Sequence, residues 1–334
     1  MLTGKPPESI WAVKLSSMGD IVHITPAMRA LRERFPAAQI SLAVEDRFAA
    51  VVEKNPHIDE IVTIPHQGNH QWLRSLRNVF ARPAPDLAID FQGLARSAVW
   101  IYSTRAALQT GRGGFRPFWH RTDVKQDQHA VQVNAAVVES LGVAVTDLRP
   151  EIFLSDDAKA RVQSLLCKHG LIGEPFIVAN PFSRVSSKQW SLARYAQLID
   201  LTFRELHLKA VVCGSREEMQ MSDTLATLIQ PGAAVFMTGK LSLAESLCVY
   251  EQAELMVTGD TGPMHAAAAL GTPVLALFGP TLPERTGPWG DGHTVIQTKK
   301  PPFHAMYRYD KSGSYMASIE LETVWNCLKG RFSC

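Results

Sequence analysis

Short apolar runs alternate with segments of helical pattern along almost the whole chain, and this alternation limits the fold more than any other feature. Ile10–Leu15, Ile40–Val44, Ile58–Ile64 and Leu87–Asp90 read as strands. Ile21–Arg34, Leu94–Leu108 and Ala130–Leu141 read as helices, with further helical segments between the strands. The polar stretch Thr146–Glu151, with Pro150 in it, interrupts the pattern. It then resumes with strands at Phe176–Ala179, Lys209–Cys213, Ala234–Met237 and Glu254–Val257, and with helices at Leu192–Leu206, Glu217–Ile229 and Ile319–Leu328. Strands that alternate with helices of crossover length predict parallel sheets. A chain of 334 residues is too long for one ordinary core and suits two domains of about 150 residues each. The interruption puts the boundary at 148/149. The expected fold class is therefore α/β, two Rossmann-like domains with parallel sheets facing a cleft. Ligands in such sheets bind beyond the carboxyl ends of the strands.

Composition narrows the function classes. Hydrophobic residues make up 46% and charged residues 20%, and the formal net charge of +2 makes no demand for nucleic acid. Arg105, Arg112, Arg116, Arg121 and Lys125, with Asp123 alone against them, form a local basic loop suited to an acidic ligand or an anionic surface. A plain solvated loop fits the charge equally well. The five cysteines are scattered and form no C-x-x-C pair, which argues for a reducing compartment and against a disulfide framework or a zinc site. No signal-peptide core follows Met1–Ser9, and no apolar run approaches the ~18 residues of a transmembrane helix.

Five strand-end loops carry the polar residues from which a site could be built. In Lys14-Leu15-Ser16-Ser17-Met18-Gly19-Asp20-Ile21-Val22-His23, Asp20 reads either as a helix N-cap or as a general base at the sheet's carboxyl edge. His23 reads as its support or as a partly buried helix residue. In Asn180-Pro181-Phe182-Ser183-Arg184-Val185-Ser186-Ser187-Lys188, hydroxyls and a cation would suit a diphosphate, although the Gly-rich P-loop frame is absent. In Val257-Thr258-Gly259-Asp260-Thr261-Gly262-Pro263-Met264-His265, Asp260 and Thr261 sit where an N-cap belongs, ahead of an alanine helix whose start favours a phosphate. Glu217 and Glu218 in Gly214-Ser215-Arg216-Glu217-Glu218 could meet ribose hydroxyls or serve the helix dipole. Asp90-Phe91-Gln92-Gly93 ends a strand and could line a second substrate's pocket. No metal-ligand spacing, no Gly-x-Ser-x-Gly elbow and no Gly-x-Gly-x-x-Gly fingerprint occurs.

Taken in order, Ser16–His23, Ile89–Leu94, Gln128–Val131, Ser187–Trp190, Asp260–His265 and Phe278–Thr281 resemble the motifs of the bacterial ADP-heptose:lipopolysaccharide heptosyltransferases, the inner-core heptosyltransferase I group above all. The resemblance implies a GT-B fold and an inverting, metal-independent transfer of L-glycero-D-manno-heptose from ADP-heptose to Kdo-lipid A. It implies no cofactor and no nucleic acid. It implies a cytoplasmic enzyme that touches the cytoplasmic face of the inner membrane transiently, although no clear amphipathic anchor stands out in the sequence. Residues 1–148 would then bind acceptor and carry the base, and 149–334 would bind donor, with the last helix able to pack back toward the first domain.

Residue by residue, Asp20 resembles the catalytic base. Lys188 resembles the cation on the donor phosphates, with Ser183 and Arg184 near it. Glu218 resembles the ribose contact, Leu241 the backbone position against adenine, and Asp260 the heptose contact. Thr261, Gly262 and His265 resemble the diphosphate cradle. Ser17, Gly19, His23, Gln92, Gly93, Arg112, Arg116 and Arg121 fall on the acceptor side. The alternatives are a related transferase using another nucleotide sugar or a later core acceptor, and a nucleotide-binding protein without catalysis.

Overall fold

The computed structural model describes residues 5–66, 69–112, 120–122, 127–300 and 313–332, without the side chains of 69–71 and 120–122. The chain divides into two compact units, Met1–Phe153 and Leu154–Cys334. The boundary lies after Phe153, not at the polar stretch itself, because that stretch is tied to the first unit. Arg29 donates to the Asp147 carbonyl at 2.9 Å and pairs with the Glu151 carboxylate, while the Glu151 amide donates to Thr25 Oγ1 at 2.9 Å.

In the first unit the strands are β1 (Ser9–Val13), β2 (Gln39–Glu45), β3 (Glu60–Ile64), β4 (Leu87–Asp90), β5 (Leu108–Arg112) and β6 (His120–Thr122). The helices are α1 (Met18–Val22), α2 (Thr25–Arg34), α3 (Asn69–Phe80), α4 (Ala95–Ser103) and α5 (Ala130–Glu139). The sheet is parallel, in the order β3-β2-β1-β4-β5-β6. Strands β1 and β4 are almost wholly buried, as parallel strands covered by helices on both faces must be. Two expectations need correction. The helix Ile21–Arg34 is two helices, because Pro26 has no N–H to give the Val22 carbonyl; Thr25 Oγ1 takes that carbonyl at 2.8 Å and α2 starts afresh. The helix Leu94–Leu108 stops at Ser103, and what reads as a basic loop carries β5 and β6.

The second unit contains β7 (Phe176–Asn180), β8 (Lys209–Val212), β9 (Ala234–Phe236), β10 (Leu255–Gly259), β11 (Val274–Leu277) and β12 (Thr294–Ile296). Its helices are α6 (Asp156–Lys168), α7 (Leu192–Leu206), α8 (Met219–Ala226), α9 (Leu243–Glu251), α10 (Gly262–Ala269), α11 (Pro283–Thr286), α12 (Ser314–Ala317) and α13 (Leu321–Phe332). The parallel order β12-β11-β10-β7-β8-β9 repeats the topology of the first sheet. In both sheets the strand order reverses at the unit's first strand, between β1 and β4 and between β7 and β10. Those are the positions where the carboxyl-edge loops diverge and leave room for a ligand.

The last helix packs inside the second unit. Val324 and Leu328 join a core with Trp190, Leu198 and Ile199, and Trp190 Nε1 and Arg194 both donate to the Ile319 carbonyl. Burial of each such large side chain contributes about 1.5–3 kcal/mol. Val324 and Leu328 are spent on α7, where the sequence left a return to the first domain open. Among the described residues no helix is long and apolar enough to cross a membrane.

Candidate active site

Four of the predicted polar loops leave the two switch points. In the first unit Ser17 is the N-cap of α1, and Asp20 is its third residue, not the cap. The Ser17 amide and hydroxyl both donate to Asp20 Oδ2 at 3.0 Å. The reciprocal capping geometry holds the carboxylate at the strand's carboxyl edge. The side chain of Asp20 keeps 41% of its surface exposed, and Lys14 Nζ stands 3.6 Å from its Oδ1.

Lys14 is the functional-looking residue that the motif reading passed over. It follows β1, its ammonium is buried, and it donates to the Phe91 carbonyl at 3.2 Å. Burial lowers its pKa, with Arg112 in the same direction, while the Asp20 and Asp90 carboxylates oppose that shift. The signal was a lysine directly after the apolar run Ile10–Val13, at a place where an unpaired charge is costly.

Asp90 ends β4, fully buried. Burial raises its pKa, opposed by bonds from the Gly93 amide, Ser97 and the Gln92 amide and by the Lys14 charge. Its neighbours must be small. A Cβ on Gly111 would lie 2.7 Å from Asp90, and one on Gly93, at φ +70°, would lie 2.6 Å from the Arg112 carbonyl. Gln92 and Gly93 thus frame Asp90, and Gln92 Oε1 accepts from the Ser16 amide at 3.3 Å. Gly19 is buried in α1. His23 is buried at the end of α1, edge-on to His129 with centroids 5.4 Å apart. Arg112 closes β5. Arg116 lies outside the described residues, and of Arg121 only the backbone, in β6, is described.

In the second unit Thr261 is the N-cap position of α10, but its hydroxyl does not cap. It meets Thr258 Oγ1 at 3.2 Å and the Gly259 carbonyl at 3.4 Å instead. Gly262 and His265 lie in the first turn and a half of that helix, with Pro263 between them. Asp260 does not cap either. Its carboxylate is paired with Lys188 Nζ at 2.7 Å, with 7% and 16% of the two side chains exposed. This ion pair joins the loop after β7 to the loop after β10. The close approach needs Gly259, where a Cβ would lie 3.1 Å from the Lys188 carbonyl.

Ser183 Oγ accepts from the Val185 amide at 3.2 Å, and Arg184 is exposed nearby. Glu218 is half-buried after β8, and its Oε2 accepts from the Ser215 amide at 2.6 Å. It thereby caps its own turn. Leu241 is half-buried in the turn between β9 and α9. Lys188, Asp260, Thr261, Gly262 and His265 are therefore brought to one edge, with Ser183 and Arg184 on the same loop as Lys188. Among the described residues no group of three or more His, Cys, Asp and Glu is arranged to hold a metal ion.

The family model for glycosyltransferase family 9 (heptosyltransferase) matches residues 73–315. The chain belongs to this heptosyltransferase family. Lipopolysaccharide heptosyltransferase 1 of Salmonella typhimurium is 26% identical over 302 residues, covering 83% of this chain and 90% of that protein. Lipopolysaccharide heptosyltransferase 3 of Escherichia coli is 24% identical over 328 residues, covering 92% and 93%. The crystal structure of a family 9 glycosyltransferase from Veillonella parvula superposes with a TM-score of 0.89 at 26% identity, covering 97% of both chains. E. coli heptosyltransferase II shares the fold, with a TM-score of 0.79 at 20% identity over 97% of this chain and 98% of that one. E. coli heptosyltransferase WaaC, solved with ADP, does so at 0.74 and 21%, over 97% and 99%. The two parallel sheets are those of a GT-B-like glycosyltransferase, and the protein is a glycosyltransferase of the heptosyltransferase type.

Proposed function

We propose that this heptosyltransferase-family enzyme transfers L-glycero-D-manno-heptose from ADP-heptose to the Kdo-lipid A inner core of lipopolysaccharide, with inversion and without a metal ion. It works at the cytoplasmic face of the inner membrane. The observation that carries the reading is the Asp20 carboxylate, which is exposed at a switch point, fixed by Ser17 and faced by the buried Lys14 ammonium.

In this reaction the acceptor hydroxyl attacks the anomeric carbon as its proton passes to Asp20. The bond from that carbon to the ADP oxygen breaks on the opposite face, and its electrons leave with the diphosphate. The first-turn N–H groups of α10 and the Lys188 ammonium offset the charge that develops there. Lys188 is held by Asp260 meanwhile, so Asp260 is next to the sugar end of the donor, not against a phosphate oxygen. Ser183, Arg184, Glu218 and Leu241 serve the nucleotide. Gln92, Gly93, His23, Gly19 and Arg112, with Arg116 and Arg121, serve the acceptor.

Asp20→Asn tests the assignment. Turnover should fall by about 10²–10⁴-fold, with ADP binding unchanged by calorimetry. Turnover near the wild-type rate would remove Asp20 from the role of base, and a strict loss of activity in EDTA would remove the metal-free account. A second acceptor reading is supported by the relatives themselves, since heptosyltransferases 1 and 3 match at 26% and 24% identity. Paired assays on Kdo-lipid A and on acceptors already carrying heptose separate the two.

A further inference from the structure

Helices α3 and α4 lie against one another on one side of the first sheet. Their inner faces supply Trp72, Leu76, Trp100 and Ile101 to a core cluster shared with Trp11 and Val13 of β1. Their outer faces are not those of ordinary surface helices. Ten large apolar side chains are exposed among the described residues, and half of them, Leu73, Phe80, Leu94, Val99 and Tyr102, belong to this pair of helices and its lead-in. They are therefore a patch, not a scatter.

Helical spacing aligns them. Leu73, Arg77 and Phe80 fall at i, i+4 and i+7 on α3, and Ala95, Val99 and Tyr102 do so on α4, each of them exposed. The two stripes are joined at one end, where the Arg105 guanidinium lies 4.7 Å from the Phe80 ring and the Arg105 amide donates to the Tyr102 carbonyl.

The charge of this face has one sign. Neither helix contains an aspartate or a glutamate, and the exposed Arg74, Arg77 and Arg105 stand beside the apolar stripe. We infer that the α3–α4 face is a docking surface for an anionic lipid bilayer. Tyr102, Phe80, Val99 and Leu73 enter the boundary between headgroups and acyl chains, and the arginines meet lipid phosphates. The pairing of aliphatic and aromatic side chains with neighbouring arginines is the chemistry of an interfacial surface. A second copy of the same face would bring arginines against arginines, which opposes self-association. A nucleic acid would leave Leu73 and Val99 without a use.

The inference rests on the proposed membrane location but concerns binding alone, not the proposed reaction, so the two can fail separately. The full-length protein is floated with vesicles of phosphatidylcholine, with and without phosphatidylglycerol. Wild type should float with the anionic vesicles and lose that binding as salt is raised. Each of Arg74→Gln and Arg77→Gln should weaken binding about fivefold. Val99→Glu with Tyr102→Glu should weaken it by about tenfold or more, with the melting temperature and turnover on a delipidated acceptor unchanged. Wild type failing to float with anionic vesicles would overturn the inference. So would equal binding by the glutamate variant. Concentration-dependent dimerisation abolished by the same two substitutions, without vesicle binding, would assign the face to self-association instead.

Discussion

Lys188→Met separates the structural from the chemical use of the ion pair across the second switch point. The ammonium lies 2.7 Å from the Asp260 carboxylate, and both side chains are largely withdrawn from water. Removing the cation leaves a carboxylate with 7% of its surface exposed, and breaking such a buried pair costs about 3 kcal/mol. Asp260→Asn leaves a lysine on a flexible stem that reaches water with a small displacement, so its cost is about 1–2 kcal/mol. The double variant buries neither charge. It should be less destabilised than the sum, with a coupling energy of about 2 kcal/mol in a urea titration cycle.

ADP affinity should respond with opposite signs. On the proposed reading, Lys188→Met loses the cation that meets phosphate and should weaken ADP. Asp260→Asn removes a competitor for that cation, along with a negative charge near the diphosphate, and leaves ADP equal or tighter. A Lys188→Met protein within about 0.5 kcal/mol of wild type would refute the burial argument. Parallel losses of ADP affinity in the two single variants would refute the idea that Asp260 and phosphate share one ammonium.

Gly111→Ala and Gly330→Ala should move stability in opposite directions. The first sets a methyl group 2.7 Å from Asp90 on the adjoining strand and should cost about 1–3 kcal/mol. The second meets nothing within 4 Å in helix α13 and should add about 0.5–1 kcal/mol; equal melting temperatures would contradict the crowding at β4–β5. The third prediction concerns pH. Burial lowers the pKa of His293, and its Nδ1 accepts from the Val274 amide at 3.2 Å. A folded value below the unfolded ~6.5 means that this contribution is complete above pH ~6.5 and is lost as pH falls. Wild type should therefore lose more stability than His293→Asn between about pH 7 and 5. Identical slopes in thermal melts would dismiss the histidine.

Much of the site was legible before folding because strand-end loops announce themselves locally. Gly19-Asp20, Gly93, the Ser183–Lys188 run and Gly259–Gly262 all break an apolar run with residues that turn, cap or carry charge. Local spacing misassigned two caps, since Ser17 takes the place given to Asp20 and Asp260 is drawn off by a partner 72 residues away. Strands β5 and β6 were hidden by Gly111, Arg112 and Arg121. They are strands because β4 offers an edge to pair with, not because their own residues favour it. The outward apolar stripe of α4 was hidden too, since periodicity alone does not say which face of an apolar helix the sheet covers.

What the residue order alone determined is the rhythm of the chain, strand then loop then helix, and the type of chemistry each loop can hold, because turns, caps and periodicity act within a few residues. What only the tertiary structure decided is which loops become neighbours. The repeated strand order brings the ends of β1 and β4, and of β7 and β10, together, so Lys14 comes to meet the Phe91 carbonyl and Lys188 comes to face Asp260. Hydrogen bonding between strands distant in sequence sets those meetings, and no local pattern encodes them.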